Sequence, residues 1–221
     1  MVATEIVILP LKSSFDPNDK TSDNGKAQSE GYKLISKAPG FQDSWYGATV
    51  ENDKELLMII NWDSVSSHIS FTKSPDYPEL GKCLTQTLAG APSYIHFSFT
   101  SQSELKDALA QPVTENVTAY FTSVDKAFEE KLDQFRKVVE GDAVGAKGFA
   151  YGWGEEEVEH EKIGEGKKGR VLKLLIGWES VDAHMKFRET ESFKENVGLL
   201  RDGPVALTMS HVKARPQSEA I

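Results

Sequence analysis

The ten residues Trp62-Asp63-Ser64-Val65-Ser66-Ser67-His68-Ile69-Ser70-Phe71 recur 116 positions later as Trp178-Glu179-Ser180-Val181-Asp182-Ala183-His184-Met185-Lys186-Phe187. Six of the ten positions carry over, counting Asp to Glu as conserved, which is too many for coincidence. A repeat at this spacing in 221 residues restricts the chain to two like modules. Each has roughly 100 residues, enough to bury a core of its own.

The flanks align at offsets that drift as loops change length. Thr4-Glu5 matches Thr114-Glu115 at 110, and Gly40-Phe41 and Trp45 match Gly148-Phe149 and Trp153 at 108. Gly90-Ala91-Pro92 matches Asp202-Gly203-Pro204 at 112. The second copy thus gains eight residues in a polar hairpin and loses four after its second helix, as loops permit.

Each copy reads strand, helix, strand, strand, helix, strand. Val117 to Thr122 is expected to be a strand, and Phe128, Leu132, Phe135 and Val139 mark an amphipathic helix. Leu56 to Trp62 and Val171 to Trp178 are apolar on nearly every residue, so each strand is buried on both faces. Tyr94 to Phe99 and Val205 to Val212 are the closing strands. Ser64 and Ser180 stand where they can cap the following helices. The boundaries expected are a first module over 1–100, a linker over 101–112 with a short helix at Glu104 to Leu109, a second module over 113–215, and a tail over 216–221.

Bulk properties narrow the function classes. A net charge of −9 excludes the clustered basic surface that nucleic acids require. The first residues lack a basic region and a long apolar run, so no membrane span is expected and the location expected is cytoplasmic. A single cysteine, Cys83, makes no intrachain disulfide and is expected to pack as a small apolar group. Gly164-Glu165-Gly166-Lys167-Lys168-Gly169 spells a dinucleotide fingerprint, but a strand follows it instead of a helix, so it reads as a hairpin. One His160 amid the carboxylates of 155–161 is not a metal centre, and no metal site is expected.

A βαββαβ module with Gly-Phe opening its second strand and Trp-acid-Ser closing its third resembles the antibiotic biosynthesis monooxygenase family of the dimeric α/β barrel superfamily. The resemblance covers nearly the whole chain, once per copy. It implies an α+β fold of two tandem ferredoxin-like modules, packed sheet to sheet as the intrachain counterpart of a dimeric barrel. A monomer with this internal pseudo-dimer suffices, and further homo-oligomerisation is left open. The family includes cofactor-independent oxygenases of aromatic polyketides and haem-degrading enzymes. The positions corresponding to the iron-binding histidine are Gly81 and Val197, so haem cleavage is not expected and no cofactor is implied. The Asn that active members carry on the first strand is missing from Ile6 to Leu11, and Asn116 is expected only at the leading edge of its strand.

Candidate site residues follow. His68 and His184, six residues after each Trp, are the candidate catalytic bases; the competing reading has them bracing the strand-to-helix corner. Trp62 and Trp178 are core anchors or ligand-stacking walls. Trp45, Tyr46, Tyr151 and Trp153 line an aromatic cavity or fill it. His96 has Thr208 as its counterpart at offset 112, which confines any role to one copy. The function these readings support is binding of a small hydrophobic or aromatic molecule, as a cofactor-independent monooxygenase or related isomerase of secondary metabolism. The alternative is a non-enzymatic small-molecule-binding or stress-associated barrel.

Overall fold

The computed structural model describes residues 2–125 and 127–219. The chain divides into two compact units: one runs to Ser98 and takes back the segment from Lys213 onward, and the other is Phe99–Val212.

The first unit contains β1 (Ala3–Pro10), α1 (Asp23–Ser36), β2 (Phe41–Ala48), β3 (Glu55–Trp62), α2 (Val65–Thr72), α3 (Asp76–Thr87) and β4 (Ser93–Phe99). The strands lie antiparallel in the order β2-β3-β1-β4. Val7, Leu9, Leu56, Met58, Ile60 and Trp62 point to one face and meet Tyr32 and Ile35 of α1, Phe71 of α2 and Leu80 of α3. Leu57 and Ile59, on the opposite face of β3, are also buried, as its doubly apolar sequence requires.

The second unit contains α4 (Gln102–Leu109), β5 (Val113–Phe121), α5 (Phe128–Asp142), β6 (Ala146–Gly154), β7 (Val158–Glu159), β8 (Lys168–Trp178), α6 (Val181–Glu189), α7 (Glu191–Asn196), α8 (Gly198–Arg201) and β9 (Ala206–Val212). Its order β6-β8-β5-β9 reproduces that of the first sheet. Val117, Ala119, Leu172, Leu174, Ile176 and Trp178 meet the apolar stripe Phe128, Leu132, Phe135 and Val139 of α5. The short β10 (Arg215–Pro216) pairs with β2 in the first unit. Each unit therefore has the ferredoxin-like βαββαβ plan expected from the repeat.

The two strand-to-helix corners are built alike. Ser64 Oγ accepts from Ser67 N at 3.2 Å and Ser180 Oγ from Ala183 N at 3.0 Å, so each serine satisfies an amide that the first helical turn leaves open. The stretch 164–169 lies in the β7–β8 hairpin and runs into β8, with Gly164 and Gly166 at positive φ.

Three details differ from the sequence reading. β5 starts at Val113, not Val117, and β1 at Ala3, because ladder pairing to β8 and β3 extends through the polar triplet around each Glu. Asn116 is consequently internal to its strand, bonded to Ser210 Oγ at 3.1 Å and Lys173 Nζ at 2.9 Å. The second strands align at 105 and not 108: Tyr46 pairs with Met58 as Tyr151 pairs with Leu174. Gly40 corresponds to Gly145, since Asp63 N donates to Gly40 O as Glu179 N donates to Gly145 O. A shift of three residues, an odd number, exchanges the faces of a strand, so Trp45 and Trp153 are not counterparts. The third difference concerns His96.

Candidate functional site

Strand register assembles the site. In β1, Glu5 stands opposite Ile60 of β3 on one side and His96 of β4 on the other, on the helix-covered face. One residue pair further along β3 lies Trp62, and α2, launched from the Ser64 cap, lays His68 over it, with ring centroids 5.3 Å apart and nearly parallel. Trp62 Nε1 donates to Glu5 Oε2 at 2.8 Å. His68 Nε2 lies 3.5 Å from Glu5 Oε1, and His68 Nδ1 is 2.8 Å from His96 Nε2. All four side chains are buried.

The second unit repeats the constellation. Glu115 of β5 faces Ile176 and His211; Trp178 Nε1 donates to Glu115 Oε2 at 3.0 Å; His184 Nε2 is 3.4 Å from the same oxygen; and His184 Nδ1 is 2.7 Å from His211 Nε2. The counterpart of His96 is therefore His211, at offset 115, and not Thr208. The Gly-Pro turn misaligns them because β9 pairs with β5 two residues beyond the equivalent end of the β4–β1 ladder, out to Tyr120. Thus the histidine is not confined to one copy.

A neutral imidazole has one donor and one acceptor nitrogen. With Glu5 ionised, His68 presents Nε2–H to the carboxylate and accepts a hydrogen bond from His96 on Nδ1, so Trp62, Glu5, His68 and His96 form a connected chain of side chains. Burial raises the carboxyl of Glu115 to about 7, opposed by the Trp178 hydrogen bond and the nearby Arg188 charge. Among the described residues, Glu5, His68 and His96 also form a group whose ligand atoms lie within 4.8 Å of one another, two nitrogens and a carboxylate oxygen of the kind a divalent metal accepts. The hydrogen bond between the two imidazoles engages those nitrogens with each other.

Beside the first chain is a cavity of about 240 Å³ between the sheet face and helices α1 and α3. Its wall is apolar, from Val7, Leu9, Met58 and Ile60 to Leu80 and Leu84, with Glu5, Trp62 and His68 at one end. Tyr32 also lines it, and its buried hydroxyl has no hydrogen-bond partner among the described residues. Cys83, half-buried, is part of the lining as well. The second unit has a cavity of about 260 Å³ at Glu115, Trp178 and His184.

The remaining sequence candidates lie elsewhere. Tyr46 packs on Tyr32 at 5.2 Å within the core, beneath the Arg215 guanidinium, and does not line the Glu5 cavity. Trp45 is on the opposite face of β2. Tyr151 is buried in the second core, with Arg136 5.9 Å from its ring, and Trp153 donates to Glu129 Oε1 at 2.8 Å; neither reaches the Glu115 cavity. His160 stacks on Tyr120 at 4.1 Å. The sequence reading missed Glu5, Glu115 and His211 as site residues, although the repeated Thr-Glu pair was a visible signal for the first two.

No family model matches the chain, and no curated protein matches it in sequence. Solved structures resemble it over its full length. An anthrone oxidase-like protein superimposes with a TM-score of 0.63 at 15% identity, covering 100% of this chain and 95% of that one. A provisionally assigned chlorite dismutase gives 0.60 at 11% identity, covering 99% and 97%. A provisionally assigned monooxygenase of Fusobacterium nucleatum gives 0.55 at 13% identity, covering 97% and 93%. At these identities the likeness is one of fold. The chain shares with these proteins an α+β fold of two tandem ferredoxin-like modules, as its resemblance to the antibiotic biosynthesis monooxygenases implied.

Proposed function

We propose that the first unit is a cofactor-independent oxygenase module that binds a small aromatic ketone or phenol, of the anthrone type, in the cavity at Glu5. The observation that carries this reading is a buried carboxylate–imidazole pair in the wall of one apolar cavity, whose lining includes Tyr32, a residue with no hydrogen-bond partner for its hydroxyl among the described residues. A cavity with few polar groups in an apolar wall orients an aromatic ligand through those groups. The fold likeness to an anthrone oxidase-like protein and to a provisionally assigned monooxygenase supports the same class.

In the proposed reaction, the Glu5–His68 pair takes a proton from the activated methylene carbon of the ligand, leaving an enolate whose oxygen accepts from the Tyr32 hydroxyl. The enolate gives an electron to dioxygen, and the two radicals join as a carbon–oxygen bond. After protonation, the hydroperoxide loses the second methylene hydrogen and water as the O–O bond breaks. The net change is CH2 plus O2 to C=O plus H2O: carbon is oxidised, dioxygen is reduced, and no cofactor is required. His96, bonded to His68 Nδ1, fixes the tautomer in which His68 Nε2–H faces Glu5. The Trp62 N–H holds the carboxylate in place by donating to Glu5 Oε2.

Oxygen uptake with anthrone as substrate tests the reading. Glu5→Gln keeps the shape of the side chain, and removing a positioned base lowers turnover by about 10² to 10⁴-fold. Tyr32→Phe is expected to raise KM and lower kcat with little change in melting temperature, because its hydroxyl has no partner to lose. If anthrone binds to the Glu5 cavity without oxygen uptake, the chain is the non-enzymatic carrier. If it neither binds nor reacts, the aromatic reading is wrong.

A further inference from the structure

The cavities of the two units differ in chemistry. Among the described residues, the first lining has no lysine or arginine. The second is lined by Arg188 of α6 and Arg201 of α8, beside Phe135, Phe193, Leu207 and Met209. The repeat accounts for the difference. In the first unit the twelve-residue α3 follows α2, whereas in the second its place is taken by α7 and α8, of six and four residues. Leu207 and Met209 of β9 are each 39% exposed, and Arg201 of α8 lines the cavity beside them.

Neither guanidinium is in an ion pair among the described residues. The side chain of Arg188 contacts Met185 Sδ at 3.9 Å and its charge acts on the Glu115 carboxyl, and Arg201 has no side-chain partner among the described residues. The aromatic wall is continuous: Trp178 is 5.8 Å from Phe187, Phe187 is 5.4 Å from Phe193, and Phe193 is 6.3 Å from Phe135. Two unpaired planar cations beside an aromatic wall match a flat apolar molecule that ends in an anion, because arginine pairs with carboxylates through two parallel hydrogen bonds.

We infer that the second unit holds a binding site for a small aromatic carboxylate, its carboxylate against Arg188 and Arg201 and its ring on Phe135, Phe193 and Met209. The site is separate from the proposed oxygenation cavity and does not depend on that reading. Among the described residues, the carboxylate that lines the cavity is Glu115; burial raises its carboxyl to about 7, so below neutrality it is mostly uncharged and opposes the ligand little.

Calorimetric titration of the full chain with naphthoate, and in parallel with the uncharged naphthalenemethanol, tests the inference. Naphthoate binds and the alcohol binds about tenfold or more weakly, the size of one lost charged hydrogen bond. Arg188→Gln, at a half-buried position, and Arg201→Gln, at an exposed one, keep the circular dichroism spectrum of the parent, and each reduces naphthoate affinity about tenfold and leaves the alcohol unaffected. Leu84→Trp, which fills the first cavity, leaves naphthoate binding intact, whereas Met209→Trp reduces it. Absence of naphthoate binding, equal affinity for the alcohol, or affinity unchanged in both arginine variants overturns the inference. Loss of binding in Leu84→Trp alone assigns the ligand to the other cavity and overturns it equally.

Discussion

Glu115 shows how much a single buried group contributes to pH dependence. Its carboxyl is raised from 4.5 to about 7, chiefly by desolvation. A raised folded-state value means that the native protein holds the proton more tightly than the unfolded chain. The associated stability is therefore fully present below pH 4.5 and is lost as pH rises to about 7. A shift of this size corresponds to on the order of 3 kcal/mol. Glu115→Gln, permanently neutral, lacks that loss. Urea unfolding midpoints of the variant and the parent, measured across this interval, are expected to converge on the acidic side and separate in the variant's favour towards neutrality. Parallel curves would mean that His184 or Arg188 already compensates the charge. The histidines themselves divide the two roles read from the sequence: His68→Asn that keeps its melting temperature but loses oxygen uptake is catalytic, while equal destabilisation of His68→Asn and His184→Asn makes them braces of the corner.

At the scale of the element, the strand-to-helix corner is the unit that the chain repeats, and its serine caps have measurable weight. Ser180→Ala removes the acceptor for Ala183 N and is expected to cost about 1 kcal/mol by chemical denaturation, as is Ser64→Ala in the first unit. Glycines on β6 and in α3 make a sharper contrast. Gly148 sits at φ +83°, and a Cβ there would lie 2.6 Å from the backbone nitrogen of Ala108, so α4 can dock on β6 only over a bare Cα. Gly148→Ala combines backbone strain with a clash and is expected to cost about 1 to 3 kcal/mol or more. Gly81, in α3, has nothing near its added methyl, and Gly81→Ala is expected to stabilise by about 0.5 to 1 kcal/mol. That α4 is a docked element was not legible in its sequence: a polar stretch containing Leu105, Ala108 and Leu109 reads as a linker, and only the structure shows these three fully buried.

The whole molecule closes one unit with residues from its far end. Arg215 and Pro216 pair with Tyr46 and Trp45, Gln217 Nε2 donates to Tyr32 O at 2.6 Å, and Ser44 bonds the Gln217 side chain. Truncation after Val212 removes these bonds and the cover over Tyr46. At about 1 kcal/mol per hydrogen bond it is expected to destabilise the first unit by about 2 to 3 kcal/mol. Hydrogen exchange reads the outcome: protection falls in β2 and α1 and holds in β5 and β8. Uniform loss throughout the chain would mean that the segment supports more than the first unit.

The sequence by itself determined the number of modules, their βαββαβ order and the residues that fill each core, because burial demands periodicity and a duplicated core leaves a duplicated pattern. It also marked Trp62, Trp178, His68 and His184, which sit in the longest conserved run. Only the tertiary structure decided what those residues touch. Glu5 meets Trp62, 57 positions away, and His68 meets His96, 28 positions away, through bonds between side chains on different elements. Hydrogen-bond register, not spacing along the chain, selects such partners, and a slip of one residue would turn Glu5 to the opposite face. For that reason His211 was hidden behind a turn-based alignment, Trp45 and Trp153 looked equivalent, and the buried carboxylates at the centre of both sites passed as ordinary residues at a strand's polar beginning.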